Sequence, residues 1–147
     1  MNGGGTLAEV LDRDECLQLL GRSTFGRIGI TSGALPVVLP VNYRLVGDRI
    51  AFRTGRGSKL DAATANTIVA FEVDDIEPLS HAGWSVVVTG VASKVTDPVL
   101  LEQLAEAGIP RWAAAEDDST IAVETTLVSG RRIGGWRDEP SARWRTR

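Results

Sequence analysis

The chain has 147 residues, 43% of them hydrophobic and 24% charged, with a formal net charge of -3 and one cysteine. That length fits one domain with enough apolar material for a core. A mildly acidic balance argues against nucleic acid and anionic membrane as partners, and a lone cysteine excludes an intrachain disulfide and fits a reducing compartment. The opening MNGGGTLAEVLDRDE has no apolar signal core, and no stretch approaches the roughly 20 apolar residues of a membrane span, so the protein reads as cytoplasmic.

Three consecutive glycines, Gly3 to Gly5, leave residues 1–8 loose. Asp12 with Glu15 forms a capping-box pattern ahead of a helix that ends near Gly21. Cys16 falls on its apolar side and reads as a small buried residue. Thr24 to Thr31 is a first strand whose glycines point to a bulge or a close backbone approach. Pro36 to Val46 is a long second strand. Pro40 lies inside it and marks an edge, a bulge or a kink. Gly47-Asp48 is a hairpin turn, and Arg49 to Thr54 returns as strand three. Ser58 caps a short helix that closes at Asn66, a candidate left-handed residue.

Thr67 to Asp74 is strand four. Trp84 to Val95 is the most strand-like run, apolar on both faces and therefore central, with Gly90 permitting a bend. Asp97-Pro98 starts a helix that Gly108 stops. Ser119 to Leu127 is the last clear strand, and Gly130 to Gly135 reads as an arginine-containing exit. About six strands and three short helices, mostly adjacent in sequence, make an antiparallel β-barrel with flanking helices. The domain spans residues 9–136, and residues 137–147 form a flexible tail.

The chemistry concentrates between Arg53 and Lys59. Seven residues there hold two hydroxyls (Thr54, Ser58), three cationic groups (Arg53, Arg56, Lys59) and two glycines. The loop ends where a helix begins, so main-chain N–H groups and the helix dipole add to its attraction for phosphate. The competing reading is a solvated connector with ordinary capping. Neither a P-loop nor a dinucleotide G-x-G-x-x-G is present.

This order of motifs resembles the flavin-binding split-barrel proteins related to pyridoxamine 5'-phosphate oxidase. The matching residues are Pro40 to Tyr43, Arg53-Thr54, Ser58-Lys59 and Asn66, followed by Gly83 to Gly90 and Ser129 to Ile133. They span roughly residues 10 to 134, nearly the whole chain. The resemblance implies a split barrel that binds flavin mononucleotide (FMN), with deazaflavin or haem as alternatives, and a homodimer with cofactor at its interface. The cluster of donors and positive charge at the helix start then puts the phosphate on Arg53, Thr54, Ser58 and Lys59. Pro40 is expected to interrupt strand two, and a strand leaving its neighbour midway exposes main-chain groups, so the ring is expected against Leu39, Pro40, Val41 and Asn42.

Trp84 reads as core or as a residue packed near the ring. Arg131 and Arg132 match the family's G-R-R run and are candidates to reach a cofactor across the dimer. Val87, Val91 and Trp112 are candidates for the dimer surface. His81, the only histidine, reads as an exposed or capping loop residue. A serine triad lacks its partners there, and a haem-ligand role stays open. The arginine-rich tail reads as solvated. No carboxylate pair is placed for acid–base work and no cluster has metal spacing. A flavin supplies its own redox chemistry. The function expected is therefore a flavin- or deazaflavin-dependent oxidoreductase acting on a small organic substrate. The alternative is a non-catalytic flavin or haem carrier or sensor, and the substrate is not legible.

Overall fold

The structure, a computed structural model, describes residues 8–109 and 118–134. The expectations for the N-terminus up to residue 7, for Trp112 and for the tail 137–147 lie outside the described residues.

In chain order the elements are β1 (Glu9–Leu11), α1 (Arg13–Arg22), β2 (Phe25–Ser32), β3 (Leu35–Asn42), β4 (Arg44–Val46), β5 (Arg49–Gly55), α2 (Lys59–Ala63), β6 (Thr67–Ile76), β7 (Gly83–Lys94), α3 (Pro98–Glu106), β8 (Asp118–Glu124) and β9 (Leu127–Ile133). The strands form one curled sheet in the order β3-β2-β6-β7-β8-β5-β4, with β9 also on β7 and β1 on β9. Every pairing among them is antiparallel. This is the expected antiparallel split barrel.

Nine strands among the described residues replace the expected six or so. The long second strand divides into β3 and β4 at Tyr43. The segment read as an exit is the regular strand β9, paired with β7 from Gly83↔Ile133 to Thr89↔Leu127. Glu9–Leu11 is a strand because β9 offers it an edge, in register from Glu9↔Arg132 to Leu11↔Gly130.

Strand alternation builds the interior. Along β7, Trp84, Val86, Val88 and Ala92 are buried, while Val87 and Val91 face outward. They join Ile28, Tyr43, Ile50, Phe52, Phe71 and Val73 in the main core, and α1 adds Cys16, Leu19 and Leu20. The helix starts as its capping box dictates: Asp12 accepts from the Glu15 N–H and the Glu15 carboxylate accepts from the Asp12 N–H. A smaller apolar cluster, Ala51, Val95, Leu104, Ile109 and Ala122, seats α3.

Gly90 marks where β7 changes neighbours, from β9 at Thr89 to β8 at Ala92. A Cβ there would overlap the carbonyl of Glu124, so the crossing requires glycine. Among the described residues no helix is long and apolar enough to cross a membrane.

Candidate functional site

The two ends of the main sheet, β3 and β4, are joined by a single residue, Tyr43. β4 pairs with β5 only from Arg44↔Ala51 to Val46↔Arg49. Past that point β3 turns away to pair with β2, while Phe52 to Gly55 stay paired with β8 alone. The barrel is split here. Leu39 to Asn42 lie on one arm of the fork, and Arg53 and Thr54 lie on the other.

Of the edge, bulge or kink expected at Pro40, the structure shows the edge: β3 ends the sheet order, and the proline does not interrupt its strand. It stands in register opposite Arg27, and pairing continues to Phe25↔Asn42. The proline is tolerated because β3 is an edge strand, one of the settings its missing N–H allows. The break comes three residues later, at Tyr43. Val41 is buried, Leu39 and Asn42 are half-buried and Pro40 is exposed.

The Arg53–Lys59 loop is organised by a residue the sequence reading did not single out, Asp61. Its carboxylate accepts from the Gly57 N–H at 2.9 Å and from the Thr54 hydroxyl at 3.0 Å. Its own N–H donates to the Ser58 Oγ at 3.1 Å. The Gly57 N–H, followed by burial acting the other way and the Thr54 hydroxyl, holds the Asp61 carboxyl below its usual range. The signal was present as Ser58-x-x-Asp61, an N-cap pattern at the start of α2.

These bonds narrow one expectation. Two of the loop's donors, the Gly57 N–H and the Thr54 hydroxyl, are held by Asp61 rather than left for a phosphate, while the Ser58 Oγ accepts from the Asp61 N–H and keeps its own O–H to donate. α2 is only five residues long, and the Gly57 N–H and the buried Thr54 hydroxyl are already spent on Asp61. The cations remain: Lys59 and Arg56 are exposed, and the Nε of half-buried Arg53 has no hydrogen-bond partner. Ser119, opposite Thr54 in the β5–β8 register, is buried with its hydroxyl outside hydrogen-bond geometry.

Trp84 lies in the core on the inner face of β7. Strand alternation separates the two arginines of β9. Arg131 is exposed opposite Ser85, whereas Arg132 lies opposite Trp84 and approaches Glu9 at 3.6 Å and Glu15 at 3.8 Å within the same chain. His81 is exposed in the β6–β7 loop with a φ of 57°. Asn66 adopts the left-handed conformation expected of it, φ 58°. Cys16 is fully buried, and burial, then the charges of Asp12 and Glu15, push its thiol up. That makes it a packing residue. Among the described residues no group of three or more His, Cys, Asp or Glu is placed to hold a metal.

Comparison with known proteins places this geometry in context. The family described as pyridoxamine 5'-phosphate oxidase matches residues 12–132. An uncharacterised protein of Mycobacterium tuberculosis is 40% identical over 130 residues, which covers 84% of each chain. The structure of the FAD binding protein from Mycobacterium smegmatis is similar at a TM-score of 0.75 and 33% identity, covering 88% of this chain and all (100%) of that one. The FAD and haem binding protein from Mycobacterium smegmatis shares the fold, with a TM-score of 0.66 at 19% identity over 87% of this chain and 74% of that one. The split barrel, the fork at Tyr43 and a family match running from the α1 cap to β9 agree: the chain belongs to the pyridoxamine 5'-phosphate oxidase family.

Proposed function

We propose that the protein binds a flavin nucleotide at the fork and serves as a flavin-dependent oxidoreductase on a small organic substrate. The observation that carries this reading is its likeness to the Mycobacterium smegmatis FAD binding protein over that protein's whole length. The residues present fit such a group. Arg53 brings a cation with an unpartnered, buried Nε, and Lys59 brings an exposed cation beside it in the loop. A phosphate monoester carries close to two negative charges near neutral pH, so two cations suit it. Ser58 offers a hydroxyl, and Thr54 acts through Asp61, whose carboxylate holds the loop's shape. The free edge of β3 at Leu39 to Asn42 offers main-chain groups to the polar rim of the ring.

When bound, the flavin supplies hydride and electron transfer; the chain binds, orients and shields it. FMN is the first reading, as the simplest phosphorylated flavin. FAD carries the same ring with a pyrophosphate of similar net charge, and a deazaflavin carries a ring of the same shape with carbon in place of N5, so the loop's cations suit each of them. A second reading, a flavin or haem carrier without turnover, is favoured by the fold shared with the FAD and haem binding protein.

The protein acts as a homodimer in this proposal. Ile68, Val91, Val87 and Leu127 lie exposed on the outer face of β6, β7 and β9. A sheet face that apolar needs cover, and a second copy supplies it.

The test is an absorbance spectrum of the purified protein, followed by fluorescence titration with FMN, FAD and riboflavin. Bound flavin and a preference for a phosphorylated form support the site. A Soret band with no flavin uptake selects the haem reading, and no chromophore with no uptake overturns both.

A further inference from the structure

Two buried hydroxyls meet one carboxylate at the end of β5. Ile50 and Phe52 point into the core, so Thr54, two residues on, continues the same row just before the chain turns out at exposed Gly55. Ser119 of β8 stands opposite Thr54 in the register, in line with the core residues Ile121 and Val123. Thr54 is 3% exposed and Ser119 2%. Asp61 meets them from α2.

The two hydroxyls differ in their bonding. Thr54 donates to Asp61 Oδ1 at 3.0 Å, and the Gly57 N–H donates to Oδ2 at 2.9 Å. The Ser119 Oγ has no hydrogen-bond partner among the described residues. It still lies near enough to act on the carboxyl. The Gly57 N–H does most to hold Asp61 low; burial opposes it, and the Thr54 hydroxyl, the Ser119 hydroxyl and the Lys94 charge add to it. An unmet hydroxyl at that depth is costly and rare, and it points to a state in which the bond is made. Packing does not ask for it, since alanine fills nearly the same space with no polar atom to satisfy.

Thr54 has one hydroxyl proton and two claims on it. In the free protein the proton goes to Asp61. Thr54 also lies in the loop with Arg53, Ser58 and Lys59, where the flavin reading puts a phosphate, and a phosphate is a strong charged acceptor. Turning toward it takes a donor from the carboxylate that holds Gly57 and shapes the loop.

We infer that Ser119 is a reserve donor for Asp61: when Thr54 turns its hydroxyl to the flavin phosphate, the Ser119 hydroxyl rotates onto the Asp61 carboxylate and takes the place Thr54 leaves. Asp61 then keeps two donors throughout, and the loop keeps its shape. The hydroxyl left over in the free protein gains its partner in the bound one. Ser119 is a positioning residue and does not touch the ligand. The phosphate half of this exchange rests on the flavin reading; the sharing of Asp61 by two hydroxyls does not.

Two measurements test it. The first needs no ligand: urea midpoints of wild type, Thr54→Val, Ser119→Ala and the double variant. Ser119→Ala alone leaves the midpoint unchanged or raises it, because no bond is lost. Thr54→Val costs little while Ser119 steps in, and the double variant falls by more than the two single shifts added. Additive shifts, or a lower midpoint for Ser119→Ala alone, overturn the inference. The second is fluorescence titration with FMN and riboflavin. Ser119→Ala weakens FMN about tenfold or more, the worth of a charged hydrogen bond, and leaves riboflavin unchanged. A purely structural serine weakens both ligands or neither, and either result overturns the exchange. If wild type binds no FMN, the flavin reading fails and the phosphate half goes with it, while the urea cycle still decides whether Ser119 serves Asp61.

Discussion

The phenolic hydroxyl of Tyr43 donates a 2.6 Å hydrogen bond to the main-chain carbonyl of Leu20. This one bond ties the point where the barrel splits to the last turn of α1. The Tyr43 N–H donates to Thr24 O at 2.9 Å, and the ring packs edge-on against Phe71 at 4.9 Å between centroids. The residue that joins the two ends of the sheet is therefore held through its backbone, its ring and its hydroxyl.

Tyr43→Phe keeps the ring and strands the Leu20 carbonyl. Stability should fall by about 1–3 kcal/mol, the cost of an unpaired buried acceptor, seen as a lower urea midpoint at unchanged slope. The same burial pushes the phenol well above its ordinary value of 10.0. The folded state then keeps a proton that the unfolded state loses, so this contribution is complete below pH 10 and is lost as the pH rises beyond it. Tyr43 is the only tyrosine, so ultraviolet titration reads it directly. Ordinary ionisation near 10 in the folded protein would contradict the buried bond.

Asp61→Ala releases the Gly57 N–H and leaves the buried Thr54 hydroxyl unpaired. It should destabilise the protein by about 1–3 kcal/mol and weaken flavin even though Asp61 is not proposed to touch it. Asp61's carboxyl is depressed in the folded state, so its contribution is present above the ordinary value of 3.8 and is lost as the pH falls through the folded value. Acid melts of wild type and variant should therefore converge at low pH. Persistent separation there would assign the loss to something other than the carboxylate.

Lys59→Ala removes an exposed cation that plays no part in the core. FMN affinity should fall about ten- to a hundredfold, the worth of a charged hydrogen bond, with riboflavin affinity nearly unchanged. Parallel fluorescence titrations check this. An equal loss for both ligands would move the phosphate away from this loop.

Val41 and Pro40 separate stability from binding. Val41 is 1% exposed, so Val41→Ala should cost about 2 kcal/mol through lost burial and the cavity left behind. Pro40 is exposed on an edge strand, and Pro40→Ala restores an N–H there. Its melt should stay close to wild type while its flavin dissociation constant rises. Weakened flavin in Val41→Ala with none in Pro40→Ala would show that the ring lies elsewhere.

The dimer is tested by the double variant Val87→Asp/Val91→Asp. Both side chains face outward, 38% and 36% exposed, so charge there spares the core. Light scattering should give twice the 15.7 kDa chain mass for wild type and the chain mass itself for the variant. A monomeric wild type at micromolar concentration would remove the dimer and, with it, any reach of Arg131 into a neighbouring site.

Helix starts and turns were legible because their causes are local. Asp12 and Glu15, Ser58, and Asp97 with Pro98 sit within four residues of the groups they cap, and Gly47 and Asn66 take the positive φ their chemistry permits. The centrality of β7 was legible too, from a long valine-rich run, and it pairs with β6, β8 and β9, although its outer valines Val87 and Val91 remain exposed. The candidate loop was legible as a cluster of cations and hydroxyls. Its working order was not, because which donors are spent depends on where the α2 backbone carries Asp61.

By itself, then, the sequence determined the mostly β character, the caps and turns, and the motif order that marks the family. These follow from composition, period and short spacing, each acting within a turn or a strand length. Only the tertiary structure decided that Leu127–Ile133 is a strand, that Glu9–Leu11 pairs with it from the other end of the chain, and that Pro40 sits at an edge while Tyr43 makes the split. It also decided that Arg131 and Arg132 part to opposite faces, and that Arg27 meets Glu72 and Asp74 across two strands. The physical reason is that a strand's partners and register are set by which distant edge is free to complete its hydrogen bonds, and no window of neighbouring residues contains that edge.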